Sequence, residues 1–117
     1  ERLRALLESW IAYVEGGVFS GGCFFWAASA EFDGRPGAVR DRIAGLTARW
    51  LDELEAEARR AVGQGELRPD TDPAQLAFEL HAFAQEANWA HQLLGRDDAF
   101  ARARRAVATR IGSAQPA

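Results

Sequence analysis

Cys23 follows two glycines at a helix start, a setting that can acidify a thiol, but Phe24 and Phe25 flank it and favour a buried structural cysteine. His81 and His91 lie ten residues apart, about 80° around a helix, which is not the i, i+4 spacing of a metal pair. Glu31 and Asp33 sit near a helix end, where carboxylates are more simply solvated than catalytic. No nucleotide-binding glycine loop, zinc-binding His pair, CxxC or nucleophile elbow occurs. The expectation is therefore a protein that is not an enzyme and that holds no metal and no cofactor.

Aromatic residues are more informative. Trp10, Tyr13, Phe19, Phe24, Phe25, Trp26, Phe32, Trp50, Phe83 and Trp89 are heavy for so short a chain. They suit either a core of large side chains or a cavity for an apolar or aromatic ligand. Such cavities are mostly apolar with a few placed polar groups. The candidate ligand-lining set is Trp10, Tyr13, Cys23, Phe24, Trp26, Trp50, Leu54, Phe83 and Asn88. His81, Gln85, Asn88 and Gln92 form a polar strip that fits a pocket, a subunit seam or solvent equally well.

The elements that must position these residues are helices. The 117 residues include 24 alanines and only 11 Val, Ile and Thr together, which disfavours a sheet. Apolar spacing predicts helices over 2–15, 22–33, 36–63, 72–94 and 97–111. This is an all-α bundle of about five helices. The segment 22–33 is apolar all round and should sit centrally. Asp72-Pro73-Ala74-Gln75 is a strong helix start, and Gly95 a strong stop. Residues 112–117 read as a flexible tail, leaving 1–111 as the domain.

The helix over 72–94 carries more apolar surface than one core needs. Leu76, Leu80, Phe83, Ala87, Ala90 and Leu94 gather on one side, and Phe78, Ala82, Trp89 and Leu93 on a second. Glu79 and Glu86 fill one gap between them and the polar strip fills the other. In the last helix Ala99, Ala103 and Ala106 form a small-residue ridge, separate from Phe100, Val107 and Ile111. Surplus apolar surface on two successive helices suggests a twofold homodimer joined by a four-helix seam. The candidate interface is Phe78, Ala82, Gln85, Trp89, Leu93, Ala99, Ala103 and Ala106.

The net charge is −3, which argues against nucleic-acid binding by this chain alone. No apolar run reaches the length of a membrane span. A single cysteine and no visible signal peptide fit the cytoplasm. The sequence contains no Met and opens on Glu1-Arg2-Leu3, already within a helical pattern, so it reads as a piece of something longer.

Several phrases in order carry a family likeness. They are Gly-Gly-Cys-Phe at 21–24, Glu31-Phe32-Asp33-Gly34-Arg35-Pro36-Gly37, Val39-Arg40-Asp41, and Gly65-Glu66-Leu67-Arg68. Asp72-Pro73, Leu76-Ala77-Phe78-Glu79-Leu80, Asn88-Trp89-Ala90 and Leu93-Leu94-Gly95 follow. The set resembles the C-terminal, ligand-binding and dimerisation domain of TetR-family transcriptional regulators. That resemblance implies an all-helical domain whose last two long helices pair with those of a second copy. It also implies a small effector in the helical core that alters the spacing of two N-terminal helix-turn-helix domains. No such basic N-terminal domain is present here, so this chain is expected to sense and dimerise rather than to bind DNA. A stand-alone helical interaction or scaffold domain without a cavity is the competing reading.

Overall fold

Alanine-rich amphipathic segments become four helices in the computed structural model, which describes residues 2–15 and 37–116. They are α1 (Arg2–Glu15), α2 (Ala38–Gly63), α3 (Pro73–Leu94) and α4 (Ala99–Ala114). No strand occurs among the described residues, and the fold is all-α. The expected helix over 22–33 lies outside the described residues.

Packing centres on α3, which touches all three other helices, while α1 also meets α2 and α4. Leu3, Leu7 and Ile11 of α1 meet Leu54, Ala58 and Ala61 of α2 in one buried cluster. Leu76, Leu80, Ala84 and Ala87 of α3 and Phe100, Val107 and Ile111 of α4 complete it. These residues recur at three- and four-residue spacing, so each helix turns one apolar stripe inward. Val39 does not join that stripe. It lies in the first turn of α2 and is exposed.

The ends of α3 form as local chemistry dictates. Asp72 Oδ1 accepts from the amides of Ala74 at 3.0 Å and Gln75 at 3.2 Å, with Pro73 in the first turn. At the other end Gly95 is left-handed, at φ 65°, a conformation that costs a residue with Cβ. Its amide donates to His91 O, and that of Arg96 to Ala90 O. Asp98 holds the N-cap position of α4 but does not cap it. Its carboxylate accepts from Arg102 Nε at 2.7 Å instead.

The C-terminal boundary moves. α4 runs through Gly112 to Ala114, three residues beyond the expected end at 111. Ala114 is buried, and its carbonyl accepts from the Arg68 amide at 2.8 Å. Leu67 in the same loop is buried against the core. The loop thus closes one end of the bundle, and residues 112–114 belong to the packed domain rather than to a tail.

Ion pairs tie helices across the surface. Arg2 reaches Glu57 at 2.9 Å, Arg104 reaches Glu8 at 2.9 Å, and Arg110 reaches Glu79 at 2.8 Å. Glu57 also accepts from Arg60, which in turn holds Glu66. The chain of contacts Arg2–Glu57–Arg60–Glu66 joins the start of α1, the last turns of α2 and the loop. Pairs this exposed add little stability individually, and they chiefly fix the relative placement of the helices.

Candidate functional site

The open side of α3 is the chemically distinctive surface. Leu76, Ala77, Leu80, Ala84, Ala87 and Asn88 are buried. At about 100° per residue the remaining positions divide into the polar strip of His81, Gln85 and Gln92 and three further flanks. Phe78 is 67% exposed, Leu93 64% and Trp89 41%, so this apolar flank has no covering element among the described residues. Glu79 and Glu86 follow around the helix, and beyond them Phe83 and Ala90 lie beside α4.

Here the two helices enclose a groove of about 370 Å³. Phe83, Ala87, Ala90 and Leu94 form one wall, and Ala99, Ala103 and Ala106 the other. Glu86, Arg96, Asp98 and Arg102 add charge to the lining. Past Phe83 and Ala106 the depression continues along Arg105, Thr109, Arg110 and Ser113. Its depth follows from side-chain size, because alanines on α4 leave space that larger residues would fill.

The expected interface residues separate in this geometry. Phe78, Ala82, Trp89 and Leu93 are exposed, and Gln85 is half-buried. Ala99 and Ala103 are buried in the α4 wall of the groove, so the close approach that small residues allow is used within the chain. Ala106 is half-buried and borders both parts of the groove.

The expected ligand-lining set also separates. Trp10 and Trp50 are half-buried and pack against the core, while Leu54 and Asn88 are fully buried. Phe83 also packs against the core but lines the α3–α4 groove. The side chain of Tyr13, and Cys23, Phe24 and Trp26, lie outside the described residues. The sequence reading missed Arg96, Arg102 and Arg105 as groove residues. The spacing of Arg102, Arg105, Ala106 and Thr109 on one helical face is the signal that could have found Arg102 and Arg105, whereas Arg96 lies in the connector before that helix.

The polar strip is graded from inside to outside. Asn88 is buried, His81, Gln85 and His91 are half-buried, and Gln92 is exposed. Gln85 Nε2 lies 3.1 Å from His81 Nε2. With the amide donating, the imidazole proton sits on Nδ1. Gln85 Oε1 is buried and has no hydrogen-bond partner among the described residues. The His91 ring stacks obliquely on Phe100, with centroids 5.0 Å apart, and so belongs to the α3–α4 contact.

Burial holds the pKa of His81 below its ordinary value of 6.5, because the charged ring is poorly solvated there. The unfolded chain therefore binds the proton more readily than the folded one. The His81 contribution to stability is complete above about pH 6.5 and declines as the pH falls through and below that value. Thermal unfolding at pH 7 and pH 5.5 is expected to show a decline that His81→Gln reduces. An equal decline in the variant would assign it to other groups.

Comparison with known proteins decides the family. The family model described as tetracyclin repressor-like, C-terminal domain, matches residues 1–107. The chain belongs to that family. A comparison with curated proteins finds no match. Among solved structures, one described as the crystal structure of the transcriptional regulator, TetR family, from Cytophaga hutchinsonii is similar, with a TM-score of 0.79. Identity is 19%, and the alignment covers 96% of this chain and 60% of that one. No described helix is long and apolar enough to cross a membrane.

Proposed function

We propose that this domain is the ligand-sensing and homodimerising part of a TetR-like transcriptional regulator. It has no catalytic role and works in the cytoplasm. One observation carries the reading: α3 buries one face in the core of its own chain and leaves an apolar sector open beside the α3–α4 groove. Exposing Phe78, Trp89 and Leu93 together is unfavourable for a soluble domain unless another surface covers them. A second copy presenting its own α3 and α4 supplies that cover in a four-helix seam. DNA contact in such a regulator belongs to a separate helix-turn-helix domain, which agrees with the net charge of −3 here.

A small apolar or aromatic effector is assigned to the core near Trp10, Trp50, Leu54 and Asn88, with Tyr13, Cys23, Phe24 and Trp26 completing its lining. Gln85 Oε1, one helical turn before Asn88, is buried without a hydrogen-bond partner among the described residues and supports a polar contact there. The test is a pair of substitutions read two ways. Trp89→Glu is expected to weaken the dimer, because it places a carboxylate in a desolvated seam. Trp50→Ala is expected to change affinity for an apolar fluorescent probe, anilinonaphthalene sulfonate, more than it changes dimerisation. The reverse order would mean that pocket and seam are exchanged, and saturable binding absent from the unmodified chain would remove the sensing role.

A further inference from the structure

Glu86 is an exposed carboxylate set within an apolar sector, with Ala82, Trp89 and Leu93 on one side and Phe83 and Ala90 on the other. The groove beside it contains arginines, but two of them are already engaged. Arg102 is held by Asp98 at 2.7 Å, and Arg110 by Glu79 at 2.8 Å. Arg105 lines the same depression and is exposed. Neither Glu86 nor Arg105 has an ion-pair partner among the described residues. Each chain thus carries an unmatched anion on the α3 wall and an unmatched cation on the α4 wall, and Arg96 in the connector likewise has no ion-pair partner among the described residues.

We propose that Glu86 pairs with Arg105 of the partner subunit, in both directions across the seam, and that this reciprocal pair sets the register and self-selectivity of the homodimer. The inference rests on the dimer reading above and adds the contact that orients it. A twofold axis near Phe83 and Ala106, where the two parts of the groove meet, lays α3 over the α4 of the second copy. Glu86 lies one turn from Phe83, and Arg105 adjoins Ala106, so the axis brings unlike charges together. The alternative, α3 over α3, opposes two Glu86 carboxylates in a closing apolar seam, which is strongly disfavoured. Arg96 also lines the groove but lies at its Leu94 end, away from the axis. A guanidinium can meet a carboxylate with two parallel hydrogen bonds, which adds directionality to charge.

Glu86→Arg and Arg105→Glu are prepared separately and then mixed. Each variant alone is expected to raise the dimer dissociation constant by at least about tenfold, the scale of a broken interfacial charge pair. The equimolar mixture is expected to recover a dimer containing one copy of each, detected by native mass spectrometry. Both positions are exposed, so helical circular dichroism stays unchanged, and Glu86→Gln gives a milder loss without reversing charge. Unaltered dimerisation of the single variants, or a mixture that stays monomeric, overturns the pairing while leaving a dimeric parent intact. A monomeric parent chain overturns the dimer reading and the pairing together.

Discussion

Leu54→Ala is expected to destabilise the domain by about 3 kcal/mol, within the range for truncating a fully buried leucine. Leu54 is 0% exposed and lies in the cluster that joins α1, α2, α3 and α4. Removing its branched end forfeits the transfer free energy of the lost carbons and leaves a hole that rigid neighbouring helices fill poorly. A loss of this size lowers the unfolding midpoint by about 10–20 °C in a domain near this length. Val39→Ala on the same helix is the control. Val39 is 52% exposed, and its truncation should cost less than about 0.5 kcal/mol. Thermal or urea unfolding followed by circular dichroism checks both, and equal effects would place the core elsewhere.

Ala106→Glu should have the second large effect, on assembly rather than folding. Ala106 borders both parts of the groove and is half-buried, so a longer side chain can project outward without entering the core. In the free chain the new carboxylate stays hydrated. In a closed seam it loses water beside Phe83 and Ala90, and the expected rise in the dimer dissociation constant is at least about 100-fold, from the cost of an uncompensated buried charge. Dilution experiments with the variant and the parent chain measure this. An unchanged constant would show that the groove is not part of the seam.

These predictions draw unequally on the sequence. Helix positions were legible because apolar spacing, Asp72-Pro73 and Gly95 are local signals, and α1 and α3 fall where they are expected. The end of α4 was not legible. Gly112 and Ser113 read as a terminus, whereas the contact holding them is nonlocal, between Ala114 O and the amide of Arg68. Asp98 is a suitable cap by type, yet Arg102 one turn later competes for its carboxylate.

The site follows the same division. Helical angles alone separate the two apolar flanks of α3, and Phe78, Trp89 and Leu93 are indeed the open ones. Angles do not say which flank a neighbouring helix takes. Placing α4 beside Phe83 and Ala90 turns Phe83 into a groove residue and buries Ala99 and Ala103 in the opposite wall. That choice depends on how α4 returns after the connector at 95–98, which a single helical wheel does not contain. Four of the candidate ligand residues, Tyr13, Cys23, Phe24 and Trp26, remain assigned by the sequence alone.

The central claim is that the open sector of α3 and the groove beside α4 exist to join two copies. Sedimentation equilibrium of the parent chain over a range of micromolar concentrations tests it most directly. The account predicts a mass twice the 12.8 kDa of one chain, falling toward the single-chain value only on dilution. A mass of 12.8 kDa at every concentration would contradict it.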